Sequence, residues 1–364
     1  LRRLWKYIKK ISRKIIDEFM KILLHGVFAD TKLYPDFIKE GFKENVGKNN
    51  VVNFDPKEKG VNYNYLDVDP DQFDLIVFTN SSFLNGRIRN LLTLNTSSPK
   101  IFIDTADNFF VKRIYKCKEI ALYFKRELYS NKPSFGYRFE WAIRYLYGDY
   151  LVTNKYSHFP LAYFLNVLNS PFAVATAKLK KIRPFPLTFA GKSKMPLNFD
   201  RSIDLSFTLR PQHIRERWEY YRFMREFDDT NAKVFIEPGG MSKKKYYHIL
   251  SRSKASIAIR GYGFDTLRYW EIPYYGAALI AQQMPIIIPN NFTDGESALF
   301  FSTKDEFKQK LRKYVLNSEE WKEIARKGHL VLKIPYTKRK NKKANFRCIK
   351  GRGISLRIKS KKFK

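Results

Sequence analysis

The stretch that decides the fold is SIAIRGYGFDTLRYWEIPYYG, residues 256–276. Its apolar first residues predict a buried strand that ends at Arg260, and the glycine-rich residues after it predict a tight loop that leads into a helix. Two glycines let the backbone of this loop come close to a ligand, and a short polar side chain can cap the helix. The loop residues that we expect at the ligand are Gly261, Gly263, Asp265 and Thr266.

This strand, loop and helix favour an anionic ligand. The first N–H groups of a helix lack partners within the helix and attract anions. Arg260 and Arg268 add positive charge where a diphosphate would lie. Glu271 follows Arg268 by three residues, and its carboxylate suits paired hydrogen bonds to ribose hydroxyls. On spacing alone, the alternative is a tight structural turn with a local surface pair between Arg268 and Glu271.

Short apolar runs alternate with helical patterns along the chain. In the first half we predict strands at 21–25, 50–54, 73–79, 100–103 and 150–153, with helices at about 111–130 and 139–147. In the second half we predict strands at 203–208, 233–236, 255–259, 277–281 and 286–288, and helices at 212–226, 242–252, 266–275, 304–316 and 319–329. This alternation predicts an α/β protein with two Rossmann-like domains, whose parallel sheets face an interdomain cleft.

The domain boundaries follow from composition. We expect domains at 20–185 and 200–337, joined by a proline-containing linker at about 181–200. Closure about this linker would exclude water from the cleft. The two cysteines cannot form a disulfide framework, and no apolar run approaches the ~18 residues of a membrane span, so we expect a cytoplasmic protein. The sequence has no metal-ligand spacing, which predicts no metal and no cofactor.

Much of the net charge of +34 lies at the two ends of the chain. Residues 338–364 contain 13 basic residues and no acidic ones, and residues 1–19 contain seven basic and two acidic ones. We interpret 1–19 as a basic amphipathic helix, either packed on its own domain or lying on the inner face of an anionic membrane. We interpret 338–364 as a disordered basic arm or as sequence that is not native to the fold. The remaining charge favours anionic ligands, and nucleic acid is not an expected partner.

Two segments carry a resemblance to a known family. Residues 246–281, YYHILSRSKASIAIRGYGFDTLRYWEIPYYGAALIA, and 290–301, NNFTDGESALFF, resemble the C-terminal domain of GT-B glycosyltransferases. The likeness is to the group-1-like branch that includes the CgeB spore-maturation type. Upstream, 101–128 and 180–189 are similar to the N-terminal half and the linker of that branch. The resemblance therefore covers about residues 20–337 and implies the GT-B fold.

The resemblance also implies an activity. A member of this family transfers a hexosyl or related sugar from a nucleotide-sugar donor to a glycan, lipid-linked or protein acceptor, as in cell-surface polysaccharide biosynthesis. Its glycine loop and the helix after it hold the donor diphosphate, and the glutamate at the position of Glu271 contacts the nucleoside. Many retaining members have a second glutamate where this chain has Gly263, so the stereochemical outcome stays open. The donor-binding residues that we predict are Arg210, Arg260, Gly261, Gly263, Asp265, Thr266, Arg268, Glu271 and Glu296.

The first half supplies the candidates for acceptor chemistry. Asp104 directly follows a predicted strand and is a candidate general base, with His25 as the rival at the end of the first strand. The run Lys125-Arg126-Glu127 is a candidate contact for an anionic acceptor through Lys125 and Arg126, with a solvated helix face as the alternative. Three other functions stay open: an exostosin- or fucosyltransferase-like GT-B enzyme, a basic protein that binds nucleic acid or anionic membrane through its ends, and a GT-B domain that binds without catalysing.

Overall fold

The structure is a computed structural model. It describes residues 20–25, 35–54, 69–79, 96–105, 119–130, 181–185, 197–209, 215–227, 232–237, 240–261 and 263–333. These residues form two parallel sheets with helices packed on them, which confirms the predicted α/β class. We call the described residues up to 185 the first unit and those from 197 onward the second unit.

The first sheet has six strands in the order β2-β1-β3-β4-β5-β6. They are β1 Ile22–His25, β2 Val51–Phe54, β3 Leu75–Thr79, β4 Lys100–Asp104, β5 Ile120–Lys125 and β6 Ile182–Pro184. Helix α1, Pro35–Val46, packs on this sheet because Ile38 and Phe42 lie one turn apart and are both buried in the same apolar cluster. The strand order reverses between β1 and β3, so the carboxyl ends of these two strands border a crevice.

The second sheet has five strands in the order β11-β10-β9-β7-β8. They are β7 Ile203–Phe207, β8 Val234–Ile236, β9 Ser253–Ala258, β10 Ala278–Gln282 and β11 Leu299–Phe301. The helices are α2 Arg215–Arg225, α3 Lys243–Arg252, α4 Leu267–Tyr274, α5 Lys304–Leu311 and α6 Glu320–Lys333. Separate apolar clusters cover the two faces of the sheet, and the central strands are buried on both sides as parallel strands require.

The structure differs from the sequence-based expectation at several elements. Residues 120–125 form strand β5, although the sequence predicts a helix there. The prediction is wrong because a short apolar run that is buried on both faces shows neither the helical nor the strand period of hydrophobic residues. Residues 182–184, at the start of the predicted linker, pair with β5 as a strand. Ile286 makes a single antiparallel bridge to Tyr129 and no strand. The structure also has strand β11, which the sequence-based expectation does not include.

Some predictions fall on residues outside the described ranges. These are the strand at 150–153, the helix at 139–147 and both ends, 1–19 and 338–364. Within the described ranges, none of the helices combines the length and the apolar character that crossing a membrane requires.

The carboxyl edges of the two sheets meet through main-chain contacts. The segment that follows β5 runs along the segment that follows β10. The N–H of Ile287 donates to the carbonyl oxygen of Leu128 at 2.7 Å, and the N–H of Ser130 donates to that of Pro285 at 3.1 Å. The two units are therefore fixed to each other at a second place besides the chain that links them.

Candidate functional site

The candidate site lies at the carboxyl edge of the second sheet. The strand order reverses between β7 and β9, and ligands of such sheets bind outside the carboxyl ends of the strands at this reversal. The loop that follows β9 runs from Ile259 to Thr266 and leads into α4. The decisive stretch of the sequence thus occupies the place where this fold binds ligands.

Glu271 is a buried carboxylate of α4 that two phenols hold in place. Its exposure is 7%. Tyr246 Oη donates to its Oε2 at 3.1 Å, and Tyr247 Oη donates to its Oε1 at 3.2 Å. Burial raises the pKa of Glu271, while the two phenol hydrogen bonds and the charge of Arg268 act in the opposite direction. Each carboxylate oxygen keeps a further acceptor position, so a pair of ligand hydroxyls can bind to an oriented carboxylate.

Helix α3 supplies both phenols. Its first turn is capped by Ser242, whose side chain accepts a hydrogen bond from a backbone N–H of that turn. The ring of Tyr247 stacks on that of Tyr275, with the ring centres 4.4 Å apart and the planes 19° apart. Burial raises the pKa of both phenols, so they remain protonated donors at neutral pH. Sequence reasoning missed Tyr246 and Tyr247 as site residues, although the pair opens the segment that carries the family resemblance.

Arg268 connects α4 to the end of β7. Its Nη2 donates to the carbonyl oxygen of Thr208 at 3.1 Å. Its guanidinium carbon lies 5.6 Å from the centre of the Tyr246 ring, which is a cation–π distance. In the part of the chain that the structure describes, the buried Nε of Arg268 has no hydrogen-bond partner. A buried donor without a partner is costly, so this group favours the approach of a ligand oxygen.

Arg217 of α2 holds the backbone of the loop. Its Nε donates to the carbonyl oxygen of Arg260 at 2.8 Å, and its Nη2 donates to that of Ile259 at 3.2 Å. A Cβ atom on Gly261 would approach Arg217 Nη2 to 3.2 Å, so a larger residue would press on this contact. No local pattern in the sequence marks Arg217 as a site residue, because an arginine in a helix is commonly solvated.

Arg260, a predicted donor-binding residue, is engaged by α2. Its Nε pairs with the carboxylate of Glu216, which also accepts a hydrogen bond from Gln282. Its guanidinium carbon lies 5.6 Å from the centre of the Phe264 ring. The ion pair offsets much of the charge that Arg260 would offer to a diphosphate. Its role in donor binding stays a prediction.

Asp265 and Thr266 lie where the sequence predicts them, with different contacts from those expected. Thr266 takes the N-cap position of α4, but its side chain makes no capping hydrogen bond. Asp265 is fully buried and accepts a hydrogen bond from Trp270 Nε1 at 2.7 Å. Asp265 therefore anchors the loop to α4. Donor contacts by Asp265 and Thr266, and by the backbone of Gly261 and Gly263, stay predictions.

Asp104 and Lys125 form a fully buried ion pair at the carboxyl edge of the first sheet. Lys125 Nζ lies 3.3 Å from Asp104 Oδ2, and the Tyr123 hydroxyl donates to the same oxygen. Burial lowers the pKa of Lys125, and the charge of Asp104 opposes this change. The alternative of a solvated helix face is wrong for Lys125, since it ends strand β5 and is buried. Base and acceptor-binding roles stay predictions, and the geometry gives both residues a packing role.

Arg126 crosses from the first unit to the second. Its Nε lies 3.7 Å from the carboxylate of Asp265, and its Nη2 donates to the carbonyl oxygen of Asp265. It is buried, so the solvated-face alternative is wrong here too. Arg126 holds the loop after β9 in this structure, and acceptor binding by it stays a prediction.

Three further residues are predicted at the site from the sequence, and none of them has a described contact with the loop after β9. His25 ends β1, at the strand-order reversal of the first sheet. Glu296 is exposed and pairs with Lys327 of α6 at 3.6 Å. Arg210 lies outside the described residues. The roles of all three stay predictions.

One family model matches part of the chain. Residues 189–339 match a family model described as glycosyl transferase-like. This range includes Tyr246, Arg268 and Glu271, together with the loop after β9. A comparison with curated proteins gives no match.

The chain is also similar to solved structures at low sequence identity. T4 phage BGT in complex with its UDP-glucose substrate is 13% identical, with a TM-score of 0.44 over 87% of this chain and 95% of that one. Sucrose-phosphate synthase from Thermosynechococcus elongatus is 10% identical, with a TM-score of 0.44 over 86% and 94%. TarM is 12% identical, with a TM-score of 0.40. The match covers 72% of this chain but about half, 52%, of the length of TarM.

Proposed function

We propose that this chain is a glycosyltransferase that binds a nucleotide-sugar donor in its second unit. The observation that carries the proposal is Glu271, held by Tyr246 and Tyr247 next to Arg268 within the range that matches the glycosyl transferase-like family. The free acceptor positions of Glu271 suit the two hydroxyls of a ribose. Arg268 and the first N–H groups of α4 suit the donor diphosphate.

The same groups account for the chemistry on the donor side. Transfer breaks the bond between the anomeric carbon of the sugar and a diphosphate oxygen, and negative charge builds up on the departing nucleoside diphosphate. A fixed guanidinium and oriented N–H groups stabilise that charge without a metal ion. Within the described residues, no three His, Cys, Asp or Glu side chains are grouped as a metal site would require. We propose metal-independent transfer, which predicts full activity in the presence of a chelator such as EDTA.

The acceptor is proposed to bind at the carboxyl edge of the first sheet. We favour His25 over Asp104 as the base that removes the acceptor proton, because β1 borders the strand-order reversal while Asp104 is buried against Lys125. The proposed acceptor is a glycan, a lipid-linked sugar or a protein, and the transferred group is a hexosyl or related sugar. We propose a CgeB-like enzyme of cell-surface polysaccharide biosynthesis that acts in the cytoplasm, and the net charge of +34 supports contact with an anionic membrane face.

The test is donor binding and donor turnover by the full chain. UDP-, GDP-, dTDP-, ADP- and CMP-sugars are titrated by calorimetry. Slow release of the nucleoside diphosphate, or of CMP from the CMP-sugar, is followed in parallel. We expect one nucleotide class to bind and Glu271→Gln to weaken its binding at least tenfold. Glutamine keeps one acceptor oxygen, so one hydrogen bond to the ribose is lost and the other is no longer made to a charged group. Glu226→Gln makes the same charge change at an exposed position and should leave binding unchanged.

The outcome also separates the alternatives. The exostosin- or fucosyltransferase-like alternative has the same architecture and predicts a different donor. Binding of a donor with no transfer to any acceptor would favour a domain that binds without catalysing. If no donor binds and the chain binds nucleic acid or anionic vesicles with steep salt dependence, the proposal is wrong and the basic-binding alternative replaces it.

A further inference from the structure

Glu127 belongs to the first unit but binds the loop after β9 in the second. It follows β5 and is 1% exposed. Its Oε1 accepts a hydrogen bond from the N–H of Asp265 at 3.0 Å, and its Oε2 accepts one from the N–H of Phe264 at 3.2 Å. One buried carboxylate thus binds two consecutive main-chain N–H groups, and hydrogen bonds to an ionised acceptor are the stronger kind.

The two N–H groups lie immediately before α4. This helix has no acidic residue in its first turn, and its N-cap residue Thr266 makes no side-chain capping hydrogen bond. A helix N-terminus is stabilised by negative charge close to it. Glu127 therefore adds, from the other unit, a second carboxylate close to the start of α4 besides that of Asp265.

Neighbours of Glu127 strengthen the same contact. The guanidinium of Arg126 binds the carbonyl oxygen and the carboxylate of Asp265. The ring of Tyr129 meets that of Phe264 edge to face, with the ring centres 6.3 Å apart. The segment after β5 thus contacts the loop through main chain, charge and an aromatic pair.

We propose that Glu127 is a positioning residue for the donor site. By fixing the N–H groups of Phe264 and Asp265, it sets the direction in which α4 leaves the loop, and α4 carries both Arg268 and Glu271. Donor binding in the second unit then depends on a side chain of the first. The donor part of this inference rests on the proposed glycosyltransferase function.

A competing role makes the opposite prediction. If Glu127 instead occupied N–H groups that the donor diphosphate needs, its removal would strengthen nucleotide binding. The sign of the change in nucleotide affinity therefore separates positioning from competition.

The first experiment requires no activity. Hydrogen exchange of the Phe264 and Asp265 amides is measured in the full chain, in Glu127→Gln, in Glu127→Ala and in the matched control Glu226→Gln, which changes an exposed glutamate. We expect exchange to become about tenfold faster in Glu127→Ala and less so in Glu127→Gln, which keeps one acceptor oxygen. The control should exchange like the wild type. Unchanged exchange rates of these amides in both Glu127 variants would overturn the inference. If Glu127→Ala does not fold, the exchange rates in Glu127→Gln alone test the inference.

The second experiment measures Kd for UDP and for GDP with the same proteins. Positioning predicts several-fold weaker binding in both Glu127 variants, with KM for the donor raised more than kcat is lowered. Tighter binding in Glu127→Ala would overturn positioning in favour of competition. If the wild type binds neither nucleotide, the proposed function fails with this donor set, while the exchange result still decides whether Glu127 positions the loop.

Discussion

At the scale of single residues, three buried carboxylates differ in the groups that hold them. Glu271 accepts from two phenols, Asp104 lies against an ammonium group, and Glu127 accepts from two main-chain N–H groups. A carboxylate in a buried ion pair is already neutralised, so it gains little by binding a further group. A carboxylate held by neutral donors keeps its charge for a ligand. This difference separates Glu271, which we propose binds a ligand, from Asp104. Glu127 is given a positioning role for another reason: both of its oxygens accept from main-chain N–H groups of the loop after β9.

Replacement of Asp104 tests its structural role. Asp104→Asn should lower the free energy of unfolding by about 3–5 kcal/mol, because the ammonium of Lys125 is left buried without its closest counter-charge. Urea unfolding of the full chain measures the change. Glu237→Gln removes one partner of an exposed pair with Lys245 and should cost less than about 1 kcal/mol. An Asp104→Asn protein that keeps wild-type stability but loses sugar transfer would return Asp104 to the role of base.

The raised pKa of Glu271 predicts a pH dependence of stability. The carboxyl group of Glu271 binds its proton more tightly in the folded protein than in the unfolded chain. As the pH rises above 4.5, the ordinary pKa of a glutamate, ionisation of Glu271 therefore lowers the stability of the fold. Glu271→Gln carries no charge at any pH. The Tm of Glu271→Gln minus that of the wild type should therefore be more positive at pH 8 than at pH 4.5. Differential scanning fluorimetry with Glu226→Gln as control measures it, and a difference that falls with rising pH would contradict the expectation.

At the scale of elements, the end of α4 depends on one glycine. Gly276 has φ of +76°, and a Cβ atom there would lie 2.7 Å from Nη2 of Arg201 and 2.9 Å from Leu197 Cδ2. Arg201 cannot easily move, because its guanidinium binds the carbonyl oxygens of Leu250, Tyr275 and Gly276. The chain after helix α4 therefore turns at Gly276, which has a left-handed backbone conformation and packs against the buried guanidinium of Arg201.

Alanine at this position should be strongly destabilising. In Gly276→Ala the left-handed backbone should lower the free energy of unfolding by about 1–2 kcal/mol. The collision of the new Cβ with Arg201 and Leu197 should lower it by roughly a further 1–3 kcal/mol. Gly240→Ala is the matched control, because Gly240 has φ of +93° and nothing within 4 Å of its Cβ position, so it carries the strain alone. Chemical unfolding of both variants gives the difference. Equal losses would mean that Arg201 and Leu197 yield without cost.

The elements also explain which features the sequence predicts. The apolar run of β9, the glycines after it and the polar start of α4 are local signals, so strand, loop and helix are predicted within one to two residues. The run at 120–125 is equally apolar but has no glycine or proline to mark a strand, and the prediction there is wrong. The contact between Glu127 and Phe264 joins residues 137 positions apart, and no local pattern reports such a pairing.

At the scale of the whole molecule, hydrogen bonds between main-chain groups, and between side chains and main chain, join the two units. The sequence predicts closure about the linker at 181–200, as if the units were joined only there. The structure adds a second connection in which the segment after β5 binds the segment after β10 and the loop after β9. Any closing motion has to keep this connection or break it. The carboxyl edges of the two sheets are thus held together at this contact.

A proline substitution tests whether main-chain pairing joins the units. Ile287→Pro removes the N–H that donates to the carbonyl oxygen of Leu128 at 2.7 Å, and the preceding residue Ile286 is already in an extended bridge that suits a following proline. We expect the wild type to melt in one calorimetric transition and Ile287→Pro to melt in two, since the units then unfold separately. Ile287→Ala shortens the side chain but keeps the N–H, so it should melt in one transition at a lower temperature. Two transitions in the wild type, or identical melting of the two variants, would mean that the units are stable independently of this bond.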